Sequence, residues 1–112
     1  MADIYSFVGA RIRAERKARK MTLEELASAA GMNTSFLHSI ETAKKKLSLN
    51  MAQKIADALL IPIERLFAGA PTSKRDSDLY VGKLAAMVKD ADSRKKQTIL
   101  RVVKTLLSDA KS

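Results

Sequence analysis

Residues 22–41, TLEELASAAGMNTSFLHSIE, constrain this chain more than any other stretch. Thr22 is a good helix N-cap, and Glu25 three residues later completes a capping box. Leu23, Leu26, Ala27 and Ala30 recur at helical spacing, which predicts a short helix with one apolar face. Gly31 follows where a left-handed C-cap residue is needed. Asn33 then caps a second short helix, whose inward residues are Leu37 and Ile40 with Phe36 beside them. Its outward positions are Thr34, Ser35, His38 and Ser39, all polar. Two short helices joined by a tight turn, the second carrying small polar side chains outward, suit a unit whose second helix lies in the major groove of a duplex.

The flanking segments supply the rest of a helical domain. A first helix is predicted from about Ile4 to Arg19, with Val8 and Ile12 on one face and Ala14 and Ala18 as small fillers. Six basic residues fall between Arg11 and Lys20, so its polar face reads as strongly cationic and suited to phosphates. Ala43 to Leu47 form a basic loop. Ser48 caps a fourth helix with the stripe Leu49, Ala52, Ile55, Ala56 and Leu59. Pro62 opens a short fifth helix, and Ile63, Leu66 and Phe67 close the core. Gly69, Pro71, Thr72 and Ser73 punctuate a linker.

Two further helices are predicted beyond it. Residues 78–91 present Tyr80, Leu84, Met87 and Val88. Residues 93–109 present Ile99, Leu100, Val102, Val103, Leu106 and Leu107, a wide apolar stripe that must pack on something. The organisation expected is therefore residues 1–69 as one helical domain, 70–77 as linker, and 78–112 as a C-terminal helical segment. That segment is expected to make a dimer, with Ile99, Val102, Val103, Leu106 and Leu107 at the interface; folding back on its own domain is the other possibility.

Composition narrows the function classes. The chain has 112 residues, 46% of them hydrophobic but only 4% aromatic, and a formal net charge of +9. The excess charge is spread over both parts, with 11 Lys/Arg against 7 Asp/Glu in residues 1–69 and 10 against 5 in residues 70–112. Such a chain attracts polyanions. There is no Cys and a single His, so neither a thiolate site nor a metal cluster is expected, and no catalytic constellation or cofactor-binding motif is visible. No apolar run approaches the roughly 20 residues of a membrane span, and no signal peptide is evident. A cytoplasmic, nucleoid-associated protein that is not an enzyme is the expectation.

With the core, caps and basic loops placed, the segment from Val8 to about Phe67 resembles the phage Cro/repressor (XRE) family of helix-turn-helix domains. The resemblance rests on RIR at 11–13, EELA at 24–27, Gly31, Ile40-Glu41, the Lys-rich loop, Ala56, and the ending from Pro62 to Phe67. It covers about residues 7–68 without a gap and stops before residue 70. It implies an all-α, five-helix, lambda-repressor-like domain, here followed by one or two C-terminal helices, that binds two-fold operators in double-stranded DNA as a homodimer.

The resemblance also implies roles for single positions. Asn33, Thr34, Ser35, His38 and Ser39 fall where the family reads base edges. Arg16, Thr22, Thr42, Lys44, Lys45 and Lys46 fall where it grips phosphates. Arg16 and Glu41 correspond to a structural pair that would orient the Arg toward a phosphate. Three positions depart from the pattern. Leu23 stands where Gln is common, and Ala43 and Leu60 stand where Gly is common. Left-handed backbone at either of the last two would cost about 1 kcal/mol or more.

The leading expectation is a sequence-specific transcriptional regulator, most often a repressor in this family. The alternative is an antitoxin-like or other protein-interaction module whose C-terminal helices bind a partner protein.

Overall fold

The structure is a computed structural model that describes the backbone of residues 3–69 and 74–110, and the side chains of residues 3–69 and 79–107. It is all-α, with no strand among the described residues. The helices are α1 (Ile4–Ala18), α2 (Leu23–Ala30), α3 (Thr34–Glu41), α4 (Leu49–Leu59), α5 (Glu64–Phe67), α6 (Lys74–Met87) and α7 (Ser93–Ala110), with a single 3-10 turn, Val88–Asp90, between the last two.

Local chemistry sets the helix starts. Asp3 caps α1 by accepting from the Ser6 N–H at 2.8 Å. At α2 the capping box is complete: Glu25 N–H donates to Thr22 Oγ1 at 3.0 Å, and Thr22 N–H donates to Glu25 Oε1 at 2.8 Å. Asn33 Oδ1 caps α3 through the Phe36 N–H, and Ser48 Oγ caps α4 through the Met51 N–H. Each satisfies an amide that the first helical turn leaves without a partner. Gly31 ends α2 at φ 69°, a left-handed conformation that glycine adopts without steric cost.

Glycine acts differently at position 9. A Cβ there would lie 2.6 Å from the Ile40 carbonyl oxygen and 2.7 Å from that of Glu41. Its absence lets α1 lie directly on the C-terminal backbone of α3.

The core is one continuous cluster. Ile4, Val8 and Ile12 of α1 meet Leu26, Ala27 and Ala30 of α2, Leu37 and Ile40 of α3, the α4 stripe, and Ile63, Leu66 and Phe67. The α1 face departs from expectation: Ala14 and Ala18 are exposed, and Glu15 and Arg16 are the buried residues one turn beyond Ile12. The reason is electrostatic. Arg19 Nη1 and Arg65 Nε donate to the two oxygens of Glu15, at 2.6 and 2.9 Å. Arg19 Nε also donates to the Leu59 carbonyl at 3.0 Å, and Arg11 donates to the carbonyls of Arg65 and Ala68. Arg11, Arg16 and Arg19, on the face expected to meet phosphate, are thus committed within the chain, and they tie α1 to α3, α4 and α5.

The C-terminal region differs from expectation in three ways. Helix α6 begins at Lys74, so residues 74–77 are helix rather than linker; residues 70–73 of that linker lie outside the described residues. Val88 is exposed in the 3-10 turn rather than part of a buried stripe. Most important, Ile99, Val102 and Leu106, expected between two copies, are buried in the core of their own chain together with Tyr80 and Leu84. Tyr80 lies edge-on to Tyr5 with centroids 5.8 Å apart, and 5.6 Å from the ring of Phe67. A five-helix domain this small leaves apolar surface on α1 and α5, and α6–α7 cover it. Of the five residues expected at an interface, Val103 is half-buried and Leu107 stays exposed, on the same side of α7 as exposed Leu100.

Candidate nucleic-acid interface

Helix α3 is anchored by Leu37 and Ile40 and presents the opposite side outward. Asn33, Ser35 and His38 are exposed, and Thr34 and Ser39 are half-buried. Their hydrogen bonds decide what each has left to offer. Asn33 spends its carbonyl oxygen on the cap, which leaves its NH₂ as the free donor. Ser39 Oγ donates to the Ser35 carbonyl at 3.0 Å, and Thr42 Oγ1 donates to the His38 carbonyl at 2.8 Å, so both hydroxyls face outward as acceptors.

The carboxylate on this helix is turned away. Arg16 Nε donates to Glu41 Oε2 at 2.8 Å and Arg16 Nη2 to Glu41 Oε1 at 3.1 Å, while Nη1 donates to the Met21 carbonyl at 2.9 Å. Hydrogen bonding to Glu41 raises the guanidinium above its ordinary pKa. Both residues are buried, and three of the five N–H donors of Arg16 are held within the chain. Its effect on the surface is to remove a negative charge from the end of α3.

The basic loop curls back beneath that end. Ala43 takes φ 59°, and the Lys44 and Lys45 N–H groups both donate to the Ser39 carbonyl, at 2.8 and 3.1 Å. Lys44, Lys45 and Lys46 are exposed. Lys45 lies 5.6 Å from the centroid of the Phe36 ring, and Lys46 lies 5.8 Å from that of Tyr5. Cation–π contact of this kind restrains long side chains and keeps the charged tip in water. Thr22, at the start of α2, is exposed, and its oxygen already serves the capping box.

The residues expected to read bases therefore share one surface with Thr42 and Lys44–Lys46, whereas Arg16 lies beneath it. Three contributors are not singled out by the sequence reading. Gly9 sets how closely α1 approaches α3; a glycine interrupting an apolar helical pattern between Val8 and Ala10 is the available signal. Glu15 ties α1 to α5; its place on the apolar stripe one turn after Ile12 and four residues before Arg19 is the available signal. Lys83 of α6 donates to the Tyr5 hydroxyl at 3.0 Å and lies 5.5 Å from its ring centroid, so the C-terminal helices add a cation next to Lys46.

A capped two-helix unit with a polar outer helix, inside a five-helix core, defines a helix-turn-helix domain. Comparison with known proteins agrees. A helix-turn-helix family model matches residues 12–66. The immunity repressor protein of Bacillus phage phi105 is 34% identical over 76 residues, which make up 68% of this chain and 53% of that protein. The chain thus spans about half the length of that relative. The crystal structure of the restriction-modification controller protein C.AhdI from Aeromonas hydrophila matches with a TM-score of 0.55 at 32% identity, over 56% of this chain and 96% of that one. The chain belongs to the XRE-type helix-turn-helix family.

Proposed function

We propose that this protein is a sequence-specific double-stranded-DNA-binding transcriptional regulator, a repressor, acting in the cytoplasm as a dimer on a two-fold operator. The observation that carries this reading is the outer surface of α3: short polar side chains at Asn33, Thr34, Ser35, His38 and Ser39, three lysines immediately after the helix, and the one carboxylate of α3 folded inward onto Arg16. Short hydroxyls require close approach to the base edges, and the lysines provide it by holding the backbone. The kinship with a phage immunity repressor and a restriction-modification controller supports the same reading. Two recognition helices about 34 Å apart would match one turn of duplex.

For the dimer, the apolar residues left available among the described side chains of α7 are Leu100, 61% exposed, with Val103 and Leu107 at spacings of three and four. The same stripe favours the second reading, a protein partner held by the C-terminal helices. Truncation after Gly69 would not separate these readings, because it would strip Tyr80, Leu84, Ile99, Val102 and Leu106 from the core. Leu100→Glu with Leu107→Glu leaves the core intact. A fall to monomer in sedimentation supports the dimer, and an unchanged oligomeric state assigns the stripe to another partner.

The function is tested by selecting bound sequences from a random duplex pool at physiological salt. The expected result is an enriched palindrome with half-sites about one turn apart. On that site Ser35→Ala changes base preference, whereas Lys44→Ala weakens all sequences alike. No enrichment, despite salt-sensitive binding, would overturn the reading as a specific regulator.

A further inference from the structure

Beside α3 lies an open groove of about 520 Å³ that the reading residues only partly explain. Its apolar lining is Met32, Phe36 and Met51; Asn33, Ser35 and Ser39 line it too, along with Lys45 and Lys54. Phe36 is half-buried although its neighbours Leu37 and Ile40 are fully inside, so part of an aromatic ring faces solvent in the middle of a cationic, polar surface. Lys45 restrains the ring from one side.

We infer that this groove receives the C5-methyl group of a pyrimidine in the major groove, and that Phe36 is a specificity-determining residue that reads it. The inference rests on the DNA-binding reading above and goes beyond it, since Phe36 is not among the polar residues expected to contact bases. Charge selects the class of occupant. The lining carries two lysines and no carboxylate, which suits a polyanion. Position selects the duplex, because Asn33, Ser35 and Ser39 of the reading surface line the same groove. Chemistry selects the group: the apolar feature that base pairs display in the major groove is the C5-methyl of thymine, and a Phe side chain is among those that pack on it. A 5-methylcytosine carries the same methyl and would be read in the same way.

The test starts from the selected operator. Each thymine is replaced in turn by deoxyuridine, which removes the methyl and leaves the pairing edges intact. One position per half-site is expected to lose about fourfold in affinity, the equivalent of burying one methyl-sized group. At that position Phe36→Ala is expected to bind the thymine and deoxyuridine operators equally. Met51→Gln, at the edge of the same groove, provides a second variant should Phe36→Ala unfold. Replacing the sensitive pair with C·G and then with 5-methyl-C·G separates the two methyl sources; recovery with the methylated base shows that the groove reads the methyl rather than thymine's pairing edge. No sensitive thymine in the wild type overturns the inference and is the result expected if the groove holds a protein segment. Sensitivity that persists in Phe36→Ala also overturns it, by assigning the methyl to another side chain such as Thr34. Specific binding to the operator in the same experiments leaves the regulator reading standing when the methyl reading fails; absence of specific binding by folded wild type overturns both.

Discussion

Arg16 grips the Glu41 carboxylate with two nitrogens, at 2.8 and 3.1 Å, and uses its third to hold the Met21 carbonyl at 2.9 Å. One guanidinium thereby joins α1, the loop before α2 and the end of α3. Removing a single partner from a buried ion pair costs about 3–5 kcal/mol, because the other charge stays buried without compensation. Arg16→Met and Glu41→Gln are each expected to lose stability on this scale, with the double substitution costing less than the sum of the two. Urea denaturation of the four proteins checks this, and strict additivity would argue against the coupling.

Gly9 and Gly82, both inside helices, make opposite predictions. Gly9→Ala places a Cβ 2.6 Å from a backbone oxygen of α3, and this overlap should outweigh the gain in helix propensity, for a net loss of about 1–3 kcal/mol. Gly82 in α6 has nothing within 4 Å of the added Cβ, so Gly82→Ala should gain about 0.5–1 kcal/mol. Thermal melts of both variants decide it. Gly9→Ala should also weaken operator binding, since it moves α3 relative to the basic loop.

Leu60 ends α4 in a left-handed conformation, φ 61°, with its side chain 91% exposed. The strain is therefore not offset by burial. Leu60→Gly is expected to raise stability by about 0.5–1 kcal/mol, the left-handed penalty less the added chain entropy of glycine. The thermal midpoint should rise while operator affinity stays unchanged, because Leu60 lies outside the α3 surface.

Acid should weaken the Glu15 clamp. The hydrogen bond from Arg19, aided by Arg65, outweighs the opposing effect of burial and holds the Glu15 carboxyl below its ordinary value of 4.5. A carboxyl lowered in the folded state binds its proton more weakly than in the unfolded chain. Its contribution is thus fully present above about pH 4.5 and is lost as pH falls through the lower folded value. Glu15→Gln should be less stable than wild type at pH 7, and the gap should narrow under acid. Denaturation midpoints from pH 7 down to pH 3 would show the two curves converging; parallel curves would exclude the clamp as the source.

Much of the site is legible in the sequence because its signals are local. The caps at Thr22, Asn33 and Ser48 involve groups three residues apart, and the structure makes all three. Ala43 and Leu60 stand where the resembled family has Gly, and both keep the left-handed backbone, at φ 59° and 61°. Glu15, Gly9 and Arg19 are harder, since each acts on a group far along the chain whose location is set only by packing. The basic face of α1 is only partly legible for the same reason: Arg13, Lys17 and Lys20 are exposed, whereas Arg11, Arg16 and Arg19 turn to oxygens within the chain, and charge in a sequence does not say which a side chain will do.

Within residues 4–59 the sequence by itself determined which segments are helices, where they begin, and which side of α3 is polar, because those properties depend on hydrogen bonds and periodicity within a few residues. Only the tertiary structure decided which apolar faces meet. The stripe on α7 is equally apolar whether it covers its own domain or a second copy, and periodicity cannot distinguish them. Packing resolved it by placing Tyr80 between Tyr5 and Phe67 and turning Ile99, Val102 and Leu106 inward, leaving Leu100 and Leu107 outside. It likewise committed Arg11, Arg16 and Arg19 to carbonyls and a carboxylate of the same chain, partners that only folding brings within reach.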